Sequence, residues 1–136
     1  MSKHVLVIDD EQDLRELLTL TLSRMGISAT AVETLTEAKD ALEKSPFDLC
    51  LTDMRLPDGN GLDIVDHIQH NYPQTPVAVI TAYGNVELAV EALKLGAFDF
   101  LSKPIALPKL RQLITNALAS GPTDQSQSQK QSQALL

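Results

Sequence analysis

The sequence predicts an α/β fold: a single doubly wound sheet of five parallel strands with helices on both faces. Three observations carry this expectation. Five short runs rich in Val, Ile, Leu or Phe, at 5–8, 27–32, 49–51, 77–80 and 98–101, alternate strictly with segments of 3.6-residue periodicity. The first and fourth runs are continuous rather than alternating, the pattern of strands covered on both faces. A chain of 136 residues, against roughly 150 per typical domain, has room for one such unit and not for a second.

The elements follow in order. After the run 5–8, Leu14, Leu17, Leu18, Leu22 and Met25 form one helical stripe, with Gly26 where a helix-ending glycine belongs. The run 27–32 is followed by a helical stretch at 36–42 that leads toward Ser45-Pro46, and the run 49–51 by one at 61–68 with Leu62, Val65 and Ile68 on one face. Asp58-Gly59-Asn60-Gly61 has the composition of a hairpin turn but, lying between a strand and a helix, reads as a strand-to-helix loop. The run 77–80 precedes a helix at 85–95 carrying Val86, Ala89, Val90 and Leu93 before Gly96. The run 98–101 precedes a stripe of Leu110, Leu113, Ile114 and Ala117 that Pro108 opens. Right-handed βα units of this number give, by default, the flavodoxin-like strand order 2-1-3-4-5, in which ligands bind beyond the carboxyl ends of the strands.

Composition narrows the function classes. Eleven Lys and Arg against eighteen Asp and Glu give a net charge of −7, which argues against autonomous nucleic-acid or anionic-membrane binding. One cysteine, Cys50, cannot build a disulfide framework and reads as a small core residue of a cytoplasmic, reducing compartment. No apolar stretch approaches the roughly 18 residues that span a bilayer. From Gly121 the chain becomes a Ser/Gln-rich polar tract, so the expected organisation is a folded domain at 3–119 and a flexible linker at 120–136 toward an absent output domain.

The strand ends hold the chemistry. Asp9-Asp10-Glu11 follows the first strand, Asp53 the third, Thr81 the fourth and Lys103-Pro104 the fifth. Singly, each has an ordinary explanation: a helix cap, a turn residue, a strand-end threonine, a solvated lysine. Together they converge, because the first and third strands are neighbours in the expected order. Three carboxylates so placed need positive charge among them, from Lys103 and from a divalent cation; an all-oxygen site suits Mg²⁺. His67 and His70, three apart, lack a further ligand for Zn²⁺ and read as surface residues. No GxxxxGK[ST] nucleotide loop is present.

Val7-Ile8-Asp9-Asp10-Glu11, Thr52-Asp53-Met54-Arg55-Leu56-Pro57-Asp58-Gly59-Asn60-Gly61, Thr81-Ala82-Tyr83-Gly84 and Gly96-Ala97-Phe98-Asp99-Phe100-Leu101-Ser102-Lys103-Pro104 resemble the receiver domain of bacterial two-component response regulators. The resemblance covers essentially residues 3–119. It implies that Asp53 accepts a phosphoryl group from a partner histidine kinase and that Asp10 binds Mg²⁺ directly, Asp9 largely through water, with the backbone carbonyl of Arg55 completing the site. It also implies a cis Lys103-Pro104 peptide that fixes the lysine's aim. Thr81 and Phe100 are expected to switch, although family members often carry Tyr where this chain has Phe100. Arg55 and Tyr83, each two residues past a strand-end site residue, are expected to tune phosphate lifetime, so Tyr83→Ala should change the dephosphorylation rate.

The wording around Thr81 and Lys103 is most similar to receivers of enhancer-binding transcription activators, which implies ATPase and DNA-binding domains in cis. Homodimers through the fourth helix, fifth strand or fifth helix are also implied. A stand-alone receiver, acting as diffusible binding module or phosphate sink, is the alternative. The chain is not expected to be a classical enzyme, since an aspartate-nucleophile phosphatase needs a second aspartate where this chain has Arg55.

Overall fold

The computed structural model describes residues 3–82 and 85–119. Tyr83 and the Ser/Gln-rich tract lie outside the described residues. The strands are β1 (His4–Ile8), β2 (Ser28–Val32), β3 (Leu49–Asp53), β4 (Arg55–Leu56), β5 (Gly59–Asn60), β6 (Val77–Thr81) and β7 (Asp99–Ser102). The helices are α1 (Gln12–Arg24), α2 (Leu35–Lys44), α3 (Gly61–Asn71), α4 (Val86–Leu95) and α5 (Leu107–Ala119). One five-stranded sheet, ordered β2-β1-β3-β6-β7, is parallel throughout. This is the expected flavodoxin-like order, with β6 and β7 as the fourth and fifth strands of the sheet.

Period-two alternation sorts each central strand between two cores. Val5 and Val7 of β1, Leu49 and Leu51 of β3, and Ala78 and Ile80 of β6 pack with Leu18 and Leu22 of α1 and Leu110 and Ile114 of α5. Leu6 and Ile8, Cys50, and Val77 and Val79 point the other way, into Ala38 and Leu42 of α2, Ile64 and Ile68 of α3 and Ala92 of α4. Strands covered on both faces must be apolar throughout, which explains the continuous runs at β1 and β6. Cys50 is fully buried, and burial pushes its thiol far up, as expected of a core residue.

Helix ends follow local chemistry. Thr34 caps α2 by accepting the Glu37 N–H at 3.0 Å, and Asn60 and Asp63 form a reciprocal capping box at α3. Gly26 and Gly96 end α1 and α4 with φ of 77° and 116°. The fifth helix starts at Leu107, one residue before Pro108.

One sequence expectation is corrected. The segment read as a plain strand-to-helix loop contains an antiparallel pair, β4 with β5, in register Arg55↔Asn60 and Leu56↔Gly59. Pro57-Asp58 forms its tip. Two-residue strands bury too little to leave an apolar alternation, and here only Leu56 of β4 is buried. The hairpin matters because it starts directly beyond Asp53.

Candidate functional site

The strand order places the ends of β1 and β3 side by side. Asp9 is fully buried and Asp53 is 6% exposed, whereas Asp10 faces solvent. One carboxylate oxygen from each of the three lies within 4.8 Å of the others. The backbone anchors them: the Asp9 N–H donates to the Val32 carbonyl at 3.0 Å and the Met54 N–H to that of Ile80 at 2.9 Å. Arg15 of α1 adds a guanidinium bond to the Asp9 carbonyl oxygen at 2.8 Å.

Lys103, beyond β7 and preceding a cis proline, turns its ammonium to Asp53 Oδ2 at 3.3 Å and to Glu11 Oε2 at 2.6 Å. Thr81, 1% exposed, ends β6 with its hydroxyl 3.5 Å from the Leu101 carbonyl. A cavity of about 410 Å³ opens over the cluster, walled by Asp10, Glu11, Asp53, the stretch 54–57, Ala82, Asn85 and Lys103. Phe100 is half-buried and packs against the core that contains Ala92. Sequence reasoning thus brings together Asp9, Asp10, Asp53, Arg55 and Lys103 in one place. It did not foresee that Glu11 holds Lys103, a pair 92 positions apart in the chain with no local signal.

The site is short of positive charge. Burial, with added repulsion from Asp53, pushes the Asp9 carboxyl up to about 6, against the Glu11 N–H that it accepts at 2.8 Å. Burial also raises Asp53, although Lys103 and the Arg55 and Met54 amides oppose it. Burial works to lower Lys103, but the Glu11 hydrogen bond and the charges of Asp53 and Asp9 outweigh it and raise the ammonium. Asp9 Oδ2 is buried without a hydrogen-bond partner. An orphaned carboxylate oxygen beside two further carboxylates fits a hard divalent cation with oxygen ligands. Among the described residues this is the one cluster of three or more potential ligands; His67 and His70 join none.

Residues 5–115 match the family described as response regulator receiver domain. The chain belongs to that family. It is 58% identical over 113 residues to the response regulator protein PilR of Pseudomonas aeruginosa, covering 83% of this chain and 25% of that protein. It is 34% identical over 113 residues to the DNA-binding transcriptional regulator NtrC of Klebsiella pneumoniae, covering 83% of this chain and 24% of the relative. Receiver domains of two-component response regulators share its fold. The solution structure of the beryllofluoride-activated NtrC4 receiver domain dimer superposes with a TM-score of 0.81 at 35% identity, over 86% of this chain and 97% of that one. The chain therefore spans about a quarter of the length of these curated relatives. Among the described residues, no helix is long and apolar enough to cross a membrane.

Proposed function

We propose that this receiver is switched by a phosphoryl group that Asp53 accepts from the phosphohistidine of a partner histidine kinase. The observation that carries the reading is the near-buried Asp53 carboxylate, set among two other carboxylates and 3.3 Å from the Lys103 ammonium. A carboxylate oxygen of Asp53 attacks phosphorus in line; the P–O bond forms as the P–N bond breaks, and the imidazole leaves with the bonding pair. Lys103 neutralises one oxygen of the transferring group, and the Thr81 hydroxyl or a backbone N–H beyond Asp53 serves another. Asp9, Asp10 and Asp53, with the Arg55 backbone carbonyl, would hold Mg²⁺, which supplies further positive charge against the developing anion. The product is an acyl phosphate, so water removes it in time, with Arg55 and Tyr83 tuning that lifetime. The chain assists its own modification without being an enzyme in the ordinary sense.

The output follows from charge. A dianionic group in place of a carboxylate draws Thr81 and Lys103 inward, and the loops beyond β3 and β6 repack with Phe100. Val86, Val90 and Leu93 form an exposed apolar stripe along α4 at helical spacing, a surface suited to a phosphorylation-dependent homodimer. Its relatives' greater length supports an attached transcription-activator output, reached through 120–136, over a stand-alone receiver. The test is incubation with a small acyl-phosphate donor, with and without Mg²⁺, read by intact mass. A gain of one phosphoryl group that needs Mg²⁺ and disappears in Asp53→Asn is expected; phosphorylation of the variant overturns the reading.

A further inference from the structure

The N-terminus of α2 is capped from two sources. Thr34, the residue just before the helix, takes the Glu37 N–H. The two preceding N–H groups go to a different element: Asp58, at the tip of the β4–β5 hairpin, accepts the Leu35 N–H on Oδ1 at 2.7 Å and the Thr36 N–H on Oδ2 at 3.0 Å. The Thr36 hydroxyl donates to the same Oδ2 at 2.7 Å. All three donors belong to the first turn, where a carboxylate also meets the positive end of the helix dipole. In keeping with this, the Thr36 hydroxyl and the Leu35 N–H hold the Asp58 carboxyl below its ordinary value.

The same hairpin forms one wall of the acidic cavity. Residues 54–57 line it, the Gly61 N–H donates back to the Met54 carbonyl at 2.8 Å, and Asn60 caps α3. The base of the hairpin is thus tied to α3, and its tip is tied to α2. The residue after the tip also sits close to α2: a Cβ on Gly59 would stand 2.6 Å from Leu35 Cδ2. We propose that Asp58 is a positioning residue for the acidic site, its cap on α2 pinning the hairpin and with it the Arg55 backbone against the carboxylate cluster. This deepens, and rests on, the assignment of that cluster to Mg²⁺.

The consequence is a mechanical link from the metal-binding wall to α2, a helix that contributes no ligand. Groups that orient ligands typically change metal affinity about 10- to 100-fold when removed. Calorimetric titration with Mg²⁺ on wild type, Asp58→Ala and Thr34→Ala, with melting temperatures in parallel, separates positioning from helix stability. Both variants remove a cap from α2 and melt lower, but only Asp58→Ala is expected to weaken Mg²⁺ binding, by about 10-fold or more. A wild-type dissociation constant in Asp58→Ala overturns the inference, as does equal weakening in Thr34→Ala. Should Asp58→Ala fail to fold, Thr36→Val, which deletes only the hydroxyl donor, is read instead: unchanged affinity there overturns it. Absence of Mg²⁺ binding by the wild type would overturn the metal assignment itself.

Discussion

Replacing Gly61 by Ala would put a methyl group where the backbone of Asp53 already stands. A Cβ built at Gly61 lies 2.9 Å from the Asp53 carbonyl oxygen, 3.1 Å from Met54 Cα and 3.3 Å from Met54 Sδ. Two of these neighbours are backbone, held by the Met54 N–H bond to Ile80, so they cannot rotate aside as a side chain would. Overpacking of this kind costs about 1–3 kcal/mol. The opposing gain from replacing glycine in a helix reaches about 1 kcal/mol only in the interior, and Gly61 is the first residue of α3. The clash therefore wins, and at about 4 °C per kcal/mol for a domain of this size the expected drop in melting temperature is about 4–12 °C. The displaced segment carries the acceptor aspartate, and misplacement by an ångström costs about 10²-fold in rate. Thermal melting and a mass-resolved phosphorylation time course measure the two effects. Wild-type melting and wild-type rate together would refute the close-approach argument.

Three further outcomes follow from the site. In chelator, raising the pH through the interval between the ordinary 3.8 of Asp9 and its folded value of about 6 should destabilise the domain, because the native state releases its proton later than the unfolded chain; Asp9→Asn should remove up to about 3 kcal/mol of that loss, read by denaturant melts at pH 4 and 7.5. Lys103→Ala should slow acyl-phosphate-driven labelling of Asp53 by about 10²–10³-fold while leaving the Asp53→Asn background at zero; an unchanged rate would remove Lys103 from the chemistry. Val90→Glu, on the exposed stripe of α4, should leave labelling intact and abolish any phosphorylation-dependent dimer seen by light scattering.

What was legible in the sequence and what was not divides by range. β1, β3 and β6 announce themselves because they are covered on both faces, and Asp9, Asp53 and Lys103 announce the site because each stands at or immediately past a strand end. The β4–β5 hairpin is invisible because its strands are two residues long and half exposed. The Asp58 cap joins positions 22 and 23 apart, and the Glu11 to Lys103 pair spans 92, so neither leaves a periodic or neighbouring trace. β2 is partly exposed at every position, as an edge strand is, and its Ser-Ala-Thr-Ala-Val wording is accordingly the least distinctive of the sheet.

The burial of Cys50 has a practical side. It is the chain's sole thiol, it has no solvent exposure, and its proton is held so tightly that little nucleophilic thiolate exists near neutrality. A cysteine placed anywhere on the outside would thus be the only one to react with a maleimide dye or nitroxide reagent. Pairs of such labels on α2 and α4 could follow rearrangement by fluorescence transfer or electron paramagnetic resonance without first deleting a native sulfur.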